Sequence, residues 1–277
     1  MARVHNCTSG SLAQTASRRG ESVILNVLDR KIEYAWFGSD SSNLPVLVFL
    51  HDGLGCLSLW RDFPARVADA TKCRAFVYSR FGYGNSDSTD LPRPVRFMHD
   101  EALIVLPAIL EAAKIEQPIF VGHSDGGSIG LIYAGSEFGA NVHSLILEAP
   151  HVFVEDLTVQ SIYEAGQEYL HEDLKQKLQR YHGENVDIAF WGWNRVWLDP
   201  DFRSWNIEEY LPRVHKPVLA IQGNDDNFGT SLQIESIANH CAGEVQTAFL
   251  PKCAHTPHRE QSELTFDLMV KFIRNHL

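Results

Sequence analysis

Pro118-Ile119-Phe120-Val121-Gly122-His123-Ser124-Asp125-Gly126-Gly127-Ser128-Ile129-Gly130 is the stretch from which the rest of this chain can be understood. An apolar run of strand length passes through G-x-S-x-G straight into the start of a helical pattern. A serine at the tip of so sharp a strand-to-helix turn is held in strained backbone geometry. The residues two before and two after it must lack bulk for the turn to close. Gly122 and Gly126 occupy those places. With 20 Ser and 19 Gly in 277 residues, chance supplies about 0.1 matches to G-x-S-x-G, so an incidental glycine-rich turn is set aside. The turn is a nucleophile elbow, which lifts the Ser124 hydroxyl clear of the sheet.

A serine hydroxyl is a poor nucleophile near neutrality and needs a base within hydrogen-bond reach, itself oriented by a carboxylate. Both residue types follow in the chain. Val218-Leu219-Ala220-Ile221-Gln222-Gly223-Asn224-Asp225-Asp226 ends a strand pattern in a polar loop with two acids. Phe249-Leu250-Pro251-Lys252-Cys253-Ala254-His255-Thr256-Pro257 ends the last strand in another, with His258 one residue beyond. In an open α/β sheet the loops after the strands gather at one edge, where ligands bind.

The flanking sequence supplies such a sheet. Strands are predicted at 22–28, 32–37, 46–50, 75–78, 119–121, 145–147, 218–221 and 245–249, the first two as a hairpin. Helical spacing of apolar residues is predicted over 63–70, 100–113, 127–135, 232–239 and 261–275, so each later strand is separated from the next by a crossover. The fold class is therefore α/β, an eight-stranded, mostly parallel sheet with flanking helices. One interval breaks the rhythm. From His151 to Val214 no strand is convincing, and Trp191, Trp193, Trp197 and Trp205 fall there. Residues 21–150 and 215–277 are expected to form the core, and 151–214 an inserted helical cap or lid. Within it, Glu155 to Tyr181 has long helical periodicity, and Val186 to Trp197 reads as an aromatic-rich helix interrupted by Gly192. Phe190, Trp191, Trp193 and Trp197 either pack the cap or wall a cavity between cap and sheet.

From about Glu21 onward the chain resembles the α/β-hydrolase superfamily. Besides the elbow, the resemblance rests on His51-Asp52-Gly53-Leu54-Gly55 after the third strand, in the place of that family's oxyanion loop. It rests also on Ser79-Arg80-Phe81-Gly82-Tyr83-Gly84-Asn85-Ser86-Asp87 after the fourth. The family's acid often follows a Gly by three positions, which selects Asp226 over Asp225, and its base sits in H-x-P, which selects His255 over His258. The resemblance also implies oxyanion donors at the N–H of Asp125 and at one residue of the His51 loop. Gly53 is the choice. Asp52 stands where the family commonly has Gly, so a shifted register would use Leu54 instead. Leu54 and His123 join the four aromatics as expected pocket residues. Carboxylates at Asp52 and Asp125 would disfavour anionic substrates, but they are expected to hydrogen-bond within their own turns.

Composition narrows the partners. A net charge of −11 without a basic run argues against nucleic acid, and no stretch of about 18 apolar residues could span a membrane. The cysteines, Cys7, Cys56, Cys73, Cys241 and Cys253, are odd in number and form no C-x-x-C pair, so neither a disulfide framework nor a zinc ribbon is expected. Cys56 and Cys253 read as small buried residues, since Ser124 makes a thiol nucleophile redundant. His255 and His258 form H-x-x-H but gather no further ligands, so no metal is expected, and no cofactor is implied. Residues 1–20 read as a flexible arm. Without a secretory signal, the Asn6-Cys7-Thr8 sequon carries no weight and a cytoplasmic location is expected.

The combined reading is a serine hydrolase acting through an acyl-enzyme on a small, uncharged carboxylic ester, lactone or thioester with an apolar or aromatic part. Carbon–carbon bond hydrolysis of ring-cleavage products is an alternative, although His123 and Asp125 replace the Asn and apolar residue that often flank the nucleophile there. A cofactor-free dioxygenase and a non-catalytic ligand receptor of the same fold are two others.

Overall fold

The computed structural model describes residues 22–40 and 43–277; the arm expected over residues 1–20, with the Asn6 sequon and Cys7, lies outside the described residues. Eight strands form one sheet: β1 (Val23–Val27), β2 (Arg30–Phe37), β3 (Val46–Leu50), β4 (Ala75–Tyr78), β5 (Pro118–His123), β6 (Ser144–Glu148), β7 (Val218–Gly223) and β8 (Val245–Leu250). Their spatial order is β1-β2-β4-β3-β5-β6-β7-β8. β2 runs antiparallel to both β1 and β4, and the remaining pairs are parallel. This is the mostly parallel eight-stranded sheet that the apolar runs predict.

Two-residue alternation divides the core between the faces. Leu47 and Phe49 of β3 join a cluster containing Phe63, Val67, Met269 and Phe272, while Val48 and Leu50 join one containing Leu106, Ile129, Ile132 and Ile237. The first face is covered by α1 (Phe63–Thr71), near the start of the chain, and by the C-terminal helix. Helices α2 (Phe97–Asp100), α3 (Leu106–Ala113) and α4 (Asp125–Ala134) follow α1 in sequence; a π-helical stretch, Glu101–Val105, joins α2 to α3. All ten residues of α4 are buried, so the turn that begins it is held from every side.

Between β6 and β7 run α5 (Asp156–His171), α6 (Leu174–His182) and α7 (Val186–Trp197), then 3-10 turns at Pro200–Ser204 and Glu208–Arg213. The long helix predicted over Glu155–Tyr181 is in fact broken at Glu172-Asp173, where Glu172 is extended (φ −125°, ψ −154°). A straight helix of that length would reach roughly 40 Å, carrying its second half away from the domain. The break folds α6 back and buries Leu178 and His182. The predicted interruption at Gly192 is absent. α7 runs through it, and the missing side chain leaves room for the Arg93 guanidinium. After β7 come α8 (Ser231–His240), α9 (Pro257–Glu260) and α10 (Ser262–His276). Among the described residues no helix is long and apolar enough to cross a membrane.

Candidate active site

Ser124 follows β5 directly and has φ 51° and ψ −119°, a conformation that costs a non-glycine residue energy and survives only when its surroundings impose it. The surroundings do so. Its N–H donates to the Glu148 carbonyl on β6 at 2.8 Å, and its carbonyl accepts from Gly127 and Ser128 N–H at 2.8 and 3.1 Å. A Cβ on Gly126 would lie 2.0 Å from the Leu50 carbonyl oxygen, and one on Gly122 would lie 2.6 Å from that of Gly126. Main chain meets main chain here, so only glycine fits.

The β7 and β8 loops bring Asp226 and His255 together. His255 Nδ1 donates to the Asp226 carboxylate, at 2.9 Å from Oδ1 and 3.0 Å from Oδ2. Asp226 also accepts from Phe228 N–H (2.8 Å), Gly229 N–H (3.3 Å) and Gln222 Nε2 (3.2 Å). Burial opposes its charge, but the His255 bond and these donors outweigh it and hold the carboxyl below its usual range. Asp225, the other acid, is exposed, and its backbone N–H reaches Cys253. Ser124 and His255 line one cavity of about 260 Å³. His258 points elsewhere: its Nδ1 and backbone N–H both donate to the buried Glu148 carboxylate, at 3.0 and 2.8 Å. That contact ties the start of α9 to the end of β6.

The loop after β3 faces Ser124. Leu54 N–H donates to Asp52 Oδ2 at 3.3 Å, whereas the N–H groups of Gly53 and Asp125 have no acceptor among the described residues. Trp193 of α7 packs directly over Gly53. The buried Arg80, from the segment after β4, holds this loop by donating to the His51 carbonyl (2.7 Å) and the Asp52 carbonyl (2.9 Å). The same guanidinium stands 3.9 Å from the Asp125 carboxylate. From the other side, Trp197 Nε1 donates to Asp125 Oδ1 at 3.2 Å. Asp125 therefore reaches out to Arg80 and α7 rather than bonding within its own turn as expected, because burial leaves it no water. Burial pushes its pKa up to about 6 despite Arg80.

Asp52 does bond within its turn and also faces His123, with Oδ1 3.6 Å from Nδ1. His123 Nε2 donates to the His255 carbonyl at 2.7 Å. Burial disfavours a charged His123, but Asp52 and, more weakly, Glu148 prevail and raise it to about 9. Asp52 is correspondingly held well below the usual carboxylate range. Each of the two carboxylates near Ser124 thus has a basic side chain beside it.

Of the expected pocket residues, Leu54, His123, Trp193 and Trp197 line the cavity, whereas Phe190 and Trp191 do not. Phe190 lies one helical turn before Trp193, about 4.5 Å along the axis, and stacks on Tyr169 of α5 at 3.7 Å. Trp191 meets Tyr169 edge-on, with the Arg195 guanidinium over its ring. Those two aromatics hold the helices together. Several cavity residues escape sequence reasoning. Thr158, Ile162 and Ala165 form an i, i+4, i+7 stripe on α5, and His151 and Phe228 stand on loops after β6 and β7. The stripe was visible as periodicity, but which side faced the sheet was not. Arg80, Glu148 and His182 support the site from behind, the last donating from Nε2 to the Leu54 carbonyl at 3.0 Å. A charged residue directly after the apolar run Leu145-Ile146-Leu147, as Glu148 is, is the signal that could have exposed one of them. The Cys56 thiol is buried and pushed up to about 12, as a packing residue would be.

A family model described as the alpha/beta hydrolase family matches residues 47–268. Among curated proteins no sequence match is found. Similar solved structures include an esterase from Exiguobacterium antarcticum, with TM-score 0.73, 18% identity, and coverage of 92% of this chain and 100% of that one. A proline iminopeptidase of Mycobacterium smegmatis has TM-score 0.70 and 20% identity over 92% of this chain and 98% of its own. An enol-lactonase from Burkholderia xenovorans has TM-score 0.70 and 19% identity over 91% and 100%. At these identities the likeness concerns the fold.

Proposed function

The chain belongs to the alpha/beta hydrolase family, and we propose that it is a serine hydrolase that cleaves a small carboxylic ester, lactone or thioester through an acyl-enzyme. The observation that carries this reading is the Asp226–His255 contact, one ring N–H shared by both carboxylate oxygens, with His255 lining the cavity that Ser124 enters from a strained turn. With Nδ1–H committed to Asp226, Nε2 is the nitrogen left to take the Ser124 proton. Ser124 Oγ attacks the carbonyl carbon, and the charge formed on its oxygen is met by the N–H groups of Gly53 and Asp125. Leu54 N–H, already engaged by Asp52, is the poorer donor. Collapse expels the alcohol or thiol, which receives the proton from His255. Water, deprotonated by the same imidazole, then attacks the acyl-serine and releases the acid. Nucleophile, base and oxyanion donors all come from this chain, so the scheme uses no cofactor.

α5, α6 and α7 act in this reading as a cap over the sheet edge. The walls contributed by Leu54, Ile162, Leu174, Trp193 and Phe228 suit an uncharged substrate with an apolar or aromatic part. Incubation with a fluorophosphonate and with aryl esters tests the proposal. Labelling at Ser124, ester turnover, and loss of both in Ser124→Ala are expected. Ester turnover that survives Ser124→Ala would rule out the acyl-enzyme and bring a general-base scheme or the dioxygenase reading forward. Binding without turnover would indicate a receptor, and preference for a vinylogous diketone over every ester would indicate carbon–carbon hydrolysis.

A further inference from the structure

His151 belongs to the loop just after β6 and lines the reaction cavity, yet it has no part in the scheme above. Its ring is nearly inaccessible at 2% residue exposure, and its buried Nδ1 has no hydrogen-bond partner among the described residues. Other histidines around the site are engaged. His51, His123, His182, His255 and His258 each place a ring nitrogen against a protein donor or acceptor. A buried polar group left unmatched is costly, and native structures keep few of them without a use.

The position of His151 is also fixed. Its carbonyl accepts from Ser128 Oγ at 2.6 Å and its N–H donates to the same oxygen at 3.2 Å, one helical turn after the nucleophile. Its ring meets Trp197 edge-on at 5.1 Å and the His255 ring at 5.7 Å. It thus stands between the base and the cap, rigidly placed, with its Nδ1 unmatched. Burial, followed by the nearby His255 and His123, lowers it to about 3, so the ring is neutral and offers one donor and one acceptor.

We propose that His151 is a specificity-determining residue whose imidazole hydrogen-bonds a hydroxyl group carried by the substrate close to the scissile carbonyl. A hydroxyl is the smallest group that serves whichever nitrogen faces it, since it can donate or accept. The proposal rests on the hydrolase reading and narrows its substrate class to hydroxylated esters, lactones or thioesters. A substrate without the hydroxyl would cover the ring and leave it unmatched, which predicts discrimination of roughly ten- to hundredfold.

The test uses pairs of esters that differ by one hydroxyl, placed on the acyl chain in one series and on the alcohol part in the other. The ratio of kcat/KM within each pair is measured for the wild type, His151→Gln and His151→Phe. Fluorophosphonate labelling of Ser124 reports whether each protein is folded. In one of the two series the wild type should prefer the hydroxylated ester ten- to hundredfold, His151→Gln should keep part of that preference, and His151→Phe should lose it. The series that responds tells which side of the scissile bond His151 serves. Equal ratios in the wild type and both variants overturn the assignment, as does absence of any preference while plain esters are turned over. Both outcomes leave the hydrolase reading standing. Should His151→Phe fail to fold, the wild-type ratio and His151→Gln still decide. If the wild type neither labels nor turns over any ester, the hydrolase reading itself has failed.

Discussion

The strand-end loops and the helices between β6 and β7 both wall the same cavity, but different forces shape them. At the sheet edge the backbone sets the geometry. Ser124 sits at φ 51°, its N–H is fixed to β6, and a methyl group on Gly126 would strike the main chain of β3. In the helical segment side chains set it. Tyr169, Phe190 and Trp191 pack α5 against α7, while Trp193 and Trp197, farther along the same helix, face the cavity. A wall made of side chains can be re-cut without moving the groups beneath it. A turn made of crossing main chains cannot, so substitutions in the two regions are expected to act differently.

That division predicts separable effects. The largest is at the sheet edge: Ser124→Ala or His255→Ala should lower kcat for an aryl ester by about 10⁴-fold or more; Ser124→Ala should leave the thermal midpoint nearly unchanged, whereas His255→Ala, which strips the buried Asp226 carboxylate of its partner, should lower it as well. Steady-state kinetics and a melting curve on each variant check it, and retention of most of the turnover by either would remove the covalent scheme. Next come the packing groups. His258→Ala leaves the Glu148 carboxylate buried without its partner, and Phe190→Ala opens a void in the helical segment, so each should cost about 3 kcal/mol of stability, read by denaturant unfolding. Activity in the protein that remains folded should fall evenly across substrates. His258→Ala should also be far less damaging to kcat than His255→Ala.

A smaller effect is expected from the cavity wall. Trp193→Ala should shift the ratio of kcat/KM between bulky aromatic and short aliphatic esters by about 1–3 kcal/mol, whereas Trp191→Ala, outside the cavity, should leave that ratio in place. Equal selectivity changes in the two variants would erase the distinction drawn between the faces of α7. The smallest is a slope. His123 is raised to about 9 in the folded protein, so it binds a proton there that the unfolded chain releases near its ordinary value of 6.5. The stabilisation is complete below about 6.5 and is lost as the pH climbs through about 9. Thermal midpoints of wild type and His123→Gln across that window should converge on the alkaline side; parallel curves would mean that the Asp52–His123 pair is not charged as described.

Much of this molecule could be read before any coordinates. Alternating and continuous apolar runs specify strands because burial on one or two faces leaves a mark at every second residue, and all eight were found from that mark. The elbow was readable because its constraint is local: two glycines and a serine within five residues. The helix ends were less so. Nothing in His171-Glu172-Asp173-Leu174 announces a break, since neither Gly nor Pro is present; the chain turns there because folding α6 back buries Leu178 and His182. Folding also separated Asp226 from Asp225, neighbours of equal chemistry of which one is buried against His255 and the other exposed. It left Phe190 and Trp191 in the packing and turned Trp193 to the cavity, and it brought Arg80, Glu148, His151 and His182 around Ser124 from three distant segments. Local patterns record the period of an element and the tightness of a turn. Which face of a helix meets a ligand, and which buried polar group lacks a partner, depend on neighbours far away in sequence, so they are set only when the elements pack.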